Sequence, residues 1–172
     1  DVLNKHYKNG IVDDSILIGS NTSSIPILQL AQSLPTALQG NFMGTHFFNP
    51  AHYMKLIELI PSELTKTEVK DTFFLLSKEK LTKEVAFATD LPGFIVNRLL
   101  VYDYGKIMND LANGLYSILE LDYVLGTPIG RPMGPFELCD LVGNDLFTPI
   151  GKIIYDRVGD DKERNTFVMT PF

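Results

Sequence analysis

The chain has 172 residues, of which 45% are hydrophobic and 21% charged, so it can bury a core like that of an ordinary globular domain. A net charge of −6 without a long basic run excludes nucleic acid and an anionic membrane as the expected partners. Cys139 is the single cysteine, so an internal disulfide is excluded and a reducing compartment is expected. No apolar stretch reaches the roughly 18 residues that a membrane-spanning helix needs.

The first half of the chain alternates between strand and helix patterns. Residues 1–9 are predicted to end a helix, because Gly10 can adopt the left-handed conformation of a C-cap. Apolar runs predict strands at residues 15–19, 42–48, 56–60 and 84–88, and helical spacing predicts helices at 25–34 and 65–81. This order predicts an α/β layer, in which an antiparallel pairing at an edge stays open.

The pattern changes after residues 90–93, Asp-Leu-Pro-Gly. A long helix is predicted at residues 94–114, and Ser117 with Glu120 forms a capping-box signature before the next helix. Further helical segments are predicted at 122–126, 135–142 and 146–158. The sequence therefore predicts an α/β part at residues 1–91 and an all-helical part at 92–172, with the boundary near Pro92.

Two ionisable residues interrupt apolar strands. His46 alone favours a core histidine, and a zinc site with His52 is disfavoured because Cys139 is distant in the sequence. Glu58 lies between Ile57 and Leu59, and acidic side chains are rarely buried without a partner. If the two strands are neighbours, the carboxylate fixes the tautomer of the imidazole and stabilises its charged form, which suits a general base. A solvent-facing Glu58 is the alternative.

A polar turn of sequence SNTSS, residues 20–24, connects a predicted strand to a predicted helix. Ligands bind at the carboxyl ends of strands in open α/β sheets, and a helix N-terminus with nearby hydroxyls suits an anion or a carbonyl oxygen. The spacing alone favours the other interpretation, a cluster of helix-capping residues. Asn49 before a proline and Asn97 early in a helix carry little information by themselves.

Five segments in this order and spacing closely resemble the 3-hydroxyacyl-CoA dehydrogenase family: SNTSS, HFFNP, MKLIELI, PGFIVNRLL and GRPMGPFELCDLVG. The resemblance runs from Ile16 to about Val158. It implies the C-terminal part of a Rossmann-like domain followed by a helical dimerisation domain. The GRP segment and YDRVGDD at residues 155–161 look most like the bacterial multifunctional version, in which an enoyl-CoA hydratase domain is expected to follow.

The resemblance also implies a role for each candidate residue. His46 matches the general base that removes the 3-hydroxyl proton as hydride leaves C3 for NAD, and Glu58 matches its partner. Ser23 matches the serine that hydrogen-bonds the substrate oxygen, and Asn97 the asparagine near the reacting group. Supporting positions are Asn49, Asn21 and Thr22. The implied substrate is an acyl-CoA, the implied assembly a homodimer or higher oligomer, and the implied location the bacterial cytoplasm, or the mitochondrial matrix in a eukaryote.

The sequence departs from the family in one respect, because it contains no G-x-G-x-x-G phosphate loop. Together with a polar start that lacks a methionine and an ending at Thr170-Pro-Phe172, this favours a fragment that binds NAD weakly and is inactive alone. Two rival hypotheses remain: a non-catalytic binding or assembly module that retains the fold, and a related dehydrogenase acting on another hydroxy acid.

Overall fold

The structure, a computed structural model, describes residues 2–10 and 13–168, and for residues 144–147 the backbone alone. Asp1 of the predicted first helix and the closing residues 170–172 lie outside this part of the chain. The chain divides into two compact units, Asp1–Ile95 and Val96–Phe172. The predicted order of α/β elements followed by helices is confirmed.

The first unit contains four strands, β1 (Ile18–Ser20), β2 (Phe42–Phe47), β3 (Leu56–Ile60) and β4 (Glu84–Phe87). Its helices are α1 (Val2–Lys8), α2 (Ile27–Gln32), α3 (Thr36–Gln39) and α4 (Thr67–Leu75), and α4 continues into one π-helical turn at Leu76–Lys80. Gly10 has a φ of +70°, as expected of a residue ending α1. The predicted strand at 15–19 starts later, at Ile18, and α3 was not predicted.

The four strands form one sheet in the order β1-β2-β3-β4. β1 runs parallel to β2 and β3 runs parallel to β4, whereas β2 and β3 are antiparallel. The antiparallel pairing therefore lies in the middle of these strands and not at an edge. The reason is the connection at residues 48–55, which is shorter than the dozen or so residues that a parallel crossover needs.

Both faces of the sheet are covered, which explains why β2 and β3 are almost entirely apolar. One core cluster contains Ile27 and Ala31 of α2 with Phe42, Ile60, Ala88 and Phe94. The other contains Val69 and Phe73 of α4 with Met43, Ile57 and Leu59. Helices on both sides make the interior of the sheet dry, so a polar side chain inside it needs a specific partner.

The second unit is helical: α5 (Val96–Ala112), α6 (Ile118–Leu125), α7 (Pro135–Val142) and α8 (Asn144–Arg157), with short 3₁₀ turns at Thr127–Ile129 and Arg164–Phe167. The predicted capping box is confirmed, because Ser117 Oγ accepts from the Glu120 amide while the Glu120 carboxylate accepts from the Ser117 amide. Burial raises the pKa of both the Tyr104 phenol and the Cys139 thiol. Cys139 is therefore a neutral core thiol.

Candidate active site

The antiparallel register of β2 and β3 places His46 directly opposite Glu58. His46 Nδ1 lies 2.6 Å from Glu58 Oε2, and the two residues are 5% and 0% exposed. Directly opposed residues on one face of an antiparallel pair bring their Cβ atoms within about 5 Å, which accounts for the contact. The predicted meeting of imidazole and carboxylate is confirmed, and the alternative of a solvent-facing Glu58 is wrong.

The second carboxylate oxygen of Glu58 is also bonded. Oε1 accepts a hydrogen bond from the backbone amide of Ile95 at 3.0 Å. A buried carboxylate is tolerated only when hydrogen bonds replace its water, and donors on both oxygens meet that requirement. Both oxygens of the carboxylate are thus held by hydrogen bonds, so the carboxylate can orient the imidazole.

Aromatic rings flank the imidazole of His46. The Phe48 ring lies edge-on at 4.7 Å between centroids, and the Phe94 ring lies edge-on at 5.6 Å. These rings keep water away and lower the local dielectric, which strengthens the interaction between imidazolium and carboxylate. Sequence reasoning identified the apolar setting from HFFNP, but it did not single out either phenylalanine.

The geometry leaves one nitrogen of His46 for a ligand. Nδ1 is bonded to Glu58, whereas Nε2 makes no hydrogen bond within the described part of the chain. When Nδ1 carries the proton and donates a hydrogen bond to the carboxylate, Nε2 is the basic nitrogen. The pair can therefore take a proton at Nε2, and the negative Glu58 carboxylate stabilises the positive charge that results.

The SNTSS turn lies at the same edge of the sheet. β1 ends at Ser20, and the parallel β2 ends at Phe47, one residue beyond His46. Asn21 Oδ1 accepts from the Phe47 amide at 2.8 Å, which fixes the turn to the end of β2. The carboxyl ends of neighbouring parallel strands are where α/β sheets bind ligands, so the turn borders the site.

Within the turn, the hydroxyl groups have different tasks. Thr22 Oγ1 accepts from the Ile25 amide at 3.1 Å, which shapes the turn before α2. Ser23 is half-buried, and its hydroxyl makes no hydrogen bond to the described residues. Thr22 is therefore structural, and Ser23 retains its hydrogen-bonding capacity for a ligand.

The N-terminus of α2 is capped by a residue that the sequence analysis missed. Asp90, in the segment after β4, accepts from the amides of Ile27 and Leu28, each at 2.8 Å. The interpretation of the SNTSS turn as the helix cap is therefore wrong for these two amides, because a distant carboxylate caps them. The interpretation of the helix start as an anion site is also wrong for them, because their hydrogen bonds are already made. No local signal could reveal a cap that is 63 residues away along the chain.

The remaining candidates are Asn49, His52 and Asn97. Asn49 and His52 are exposed in the connection after β2, where His52 contacts the Tyr53 ring. Lys83, buried at the start of β4, donates to the carbonyls of Ala51 and Met54 and fixes that connection. Asn97 belongs to the second unit, at the second position of α5.

Within the described residues, no group of three or more His, Cys, Asp or Glu side chains is arranged to hold a metal ion.

A mixed α/β sheet with polar turns at its carboxyl edge and a helical unit after it is typical of dinucleotide-dependent dehydrogenases. The family described as "3-hydroxyacyl-CoA dehydrogenase, NAD binding domain" matches residues 6–90, and "3-hydroxyacyl-CoA dehydrogenase, C-terminal domain" matches residues 93–171. The chain belongs to the 3-hydroxyacyl-CoA dehydrogenase family.

Individual relatives agree with this assignment. The chain is 38% identical over 150 residues to a 3-hydroxybutyryl-CoA dehydrogenase of Clostridioides difficile, covering 87% of the chain and 52% of that protein. It is 41% identical over 134 residues to a fatty acid oxidation complex subunit alpha of Acinetobacter baylyi, covering 78% and 18%. The crystal structure of (S)-3-hydroxybutyryl-CoA dehydrogenase PaaH1 from Ralstonia eutropha matches with a TM-score of 0.82 and 36% identity, over 95% of the chain and 58% of that structure. The chain spans about half the length of such relatives, or less.

The described residues fit one end of the NAD that this family uses. Ser23 and the Nε2 atom of His46 offer unbonded polar groups at the carboxyl edge of β1 and β2, which suits a nicotinamide and an alcohol. The α2 amides are bonded to Asp90, so this helix start offers no place for the pyrophosphate.

Of the helices in the described part of the chain, none is both long and apolar enough to cross a membrane.

Proposed function

We propose that this chain carries the general base for NAD-dependent oxidation of (S)-3-hydroxyacyl-CoA to 3-oxoacyl-CoA in fatty-acid β-oxidation. The observation that supports the proposal most strongly is the buried hydrogen bond between His46 Nδ1 and Glu58 Oε2. A buried histidine whose second nitrogen makes no hydrogen bond, at the carboxyl edge of parallel strands, supports the proposal of a base that serves an alcohol.

In this mechanism His46 Nε2 accepts the proton of the substrate 3-hydroxyl. NAD⁺ bound beside Ser23 and His46 would supply the acceptor for the hydride that leaves C3 as the C3–O bond becomes a carbonyl. Nδ1–H continues to donate to Glu58, whose charge stabilises the imidazolium that forms. General-base assistance of this kind contributes on the order of 10²–10⁴ in rate.

Three other side chains support the reaction in the proposal. The Ser23 hydroxyl hydrogen-bonds the substrate oxygen, and Asn97, through its match to the asparagine of the family, is assigned to the reacting group. Asn49 supports the end of β2. Asn21 and Thr22 act by shaping the turn that carries Ser23, through their hydrogen bonds to Phe47 and Ile25.

The helical unit is proposed to pair two copies of the protein. α6 exposes Ile118, Leu119, Tyr123 and Val124, of which Leu119 is 81% and Tyr123 75% exposed. Apolar side chains presented together on one short helix are typical of a protein–protein interface. Light scattering tests this proposal. We expect a dimer for the wild type and a monomer for a variant that carries charged residues in place of Leu119 and Tyr123.

The activity is tested with the protein encoded by the complete gene. We expect NADH to form with (S)-3-hydroxybutyryl-CoA and NAD⁺, and much less with the (R)-enantiomer or with free 3-hydroxybutyrate. A folded protein that binds NAD and yet forms no NADH with any (S)-3-hydroxyacyl-CoA would support the non-catalytic module instead.

A further inference from the structure

Phe94 has a backbone conformation that phenylalanine rarely adopts. Its φ is +47°, and it follows Gly93, whose φ is +74°. A residue with a β-carbon avoids this region, so such an outlier persists only where the surroundings hold it. The Phe94 amide donates to the Leu91 carbonyl at 3.0 Å, which closes the turn that imposes the conformation.

This turn directs two neighbouring groups at the His46–Glu58 pair. The side chain of Phe94 is 5% exposed and lies edge-on to the imidazole, at 5.6 Å and 61°. The next backbone amide, of Ile95, donates to Glu58 Oε1. One reversal of the chain therefore contacts both members of the pair, the imidazole by a ring and the carboxylate by an amide.

We infer that Phe94 is a positioning residue for the general base, an inference that rests on the function proposed for His46. In this role the ring, which lies edge-on to the imidazole, restricts rotation of His46 away from Glu58, and the ring is itself held by the core cluster around Ile27 and Ala31. An edge-on aromatic contact has a preferred geometry, which an aliphatic side chain of similar bulk cannot provide. Phe94 thereby keeps Nδ1 on Glu58 and Nε2 free.

A matched control separates this role from ordinary core packing. Phe42 belongs to the same core cluster and is 6% exposed, but it makes no ring contact with His46 in the described part of the chain. Phe94→Leu and Phe42→Leu remove the same atoms from the same core. Phe94→Tyr retains the ring and tests rescue, and Phe94→Met is the second ring-free variant should the leucine variant not fold.

The first measurement is NMR of the imidazole in the 172-residue chain. A wild-type Nδ1 proton that is bonded to Glu58 gives a downfield resonance that exchanges slowly with water. We expect Phe94→Leu or Phe94→Met to speed this exchange by about tenfold or more, with Phe42→Leu and Phe94→Tyr close to wild type. Equal exchange in the two leucine variants would overturn the inference.

The second measurement is steady-state kinetics in the complete gene product. We expect Phe94→Leu to lower kcat by about tenfold or more with little change in the KM for NAD, whereas Phe42→Leu keeps kcat. Unchanged kcat in an active Phe94→Leu enzyme would overturn the inference. The two ideas can fail separately. If neither the wild type nor any variant forms NADH, but Nδ1 exchange changes as expected, the proposed function fails and the positioning of the imidazole by Phe94 stands.

Discussion

The imidazole of His46 and the carboxylate of Glu58 are joined by a 2.6 Å hydrogen bond across adjacent antiparallel strands. The two residues are 12 positions apart in the sequence, and strand register alone brings them face to face. Because Glu58 also receives the Ile95 amide, the carboxylate is fixed from two directions. This arrangement suits the proposed base, because the imidazole and the carboxylate are already joined before any proton is transferred.

Replacing Glu58 by glutamine removes the charge and keeps the shape. We expect kcat to fall by a factor on the order of 10² or more, because an amide does not stabilise the imidazolium and can select the wrong tautomer. The KM for substrate should change little, because Glu58 acts through His46. The control is Glu84→Gln, on the neighbouring strand β4, where the carboxylate is exposed and pairs with Lys78. An equal loss of kcat in both variants would contradict the assignment.

Replacing Asp90 by alanine uncaps α2. Because two amide hydrogen bonds to a partly buried carboxylate are lost, we expect the free energy of unfolding to fall by about 1–3 kcal/mol. Chemical denaturation measures this, with Asp71→Ala on the exposed face of α4 as the control. A loss no larger than that of Asp71→Ala would show that Asp90 does not cap the helix.

Replacing Lys83 by methionine frees the connection between β2 and β3. The ammonium group donates to the carbonyls of Ala51 and Met54, so its removal should speed hydrogen exchange of the Met54 amide by about tenfold. Lys80→Met, at an exposed position, should leave this exchange unchanged. Met54 exchange that does not respond to Lys83→Met would refute the anchoring role.

The capping box of α6 predicts a pH dependence. The Ser117 amide, and next its hydroxyl, hold the pKa of Glu120 below its ordinary value of 4.5. A carboxyl whose pKa is lower in the folded state stabilises the helix start above the unfolded pKa, and this contribution is lost as the pH falls through the folded pKa. The window therefore begins near pH 4.5 and extends below it.

An NMR titration of the Glu120 carboxyl measures this pKa. In Ser117→Ala the midpoint should rise but stay below the ordinary value, because the backbone amide, the larger cause, remains. Ser33→Ala, which removes a serine hydroxyl from the end of α2, should leave the Glu120 curve unchanged. A midpoint that does not move in Ser117→Ala would contradict the account.

Local sequence signals predicted most elements of this fold. Leu56–Ile60 and Pro135–Val142 have the predicted bounds, because a proline follows the strand directly and a proline begins the helix. The contact between His46 and Glu58 could be suspected from two charged groups in neighbouring apolar runs. Its geometry could not, because register between strands depends on the whole sheet.

Long-range relationships account for what the sequence did not reveal. The carboxylate of Asp90 reaches α2 from the segment after β4, and Phe94 reaches His46 from a left-handed turn. Neither residue type carries a local signal for such a role, since an aspartate before Leu-Pro-Gly equally suits a simple turn. Tertiary structure alone brings these residues to their partners.

The most direct test of the proposed base compares His46 of β2 with His52 of the connection that follows β2, in the complete gene product. His46→Gln removes the base, and His52→Gln removes an exposed imidazole six positions further along. We expect kcat for (S)-3-hydroxybutyryl-CoA oxidation to fall on the order of 10²–10⁴ in His46→Gln, and to stay at the wild-type value in His52→Gln. Wild-type turnover by a folded His46→Gln protein would contradict the account.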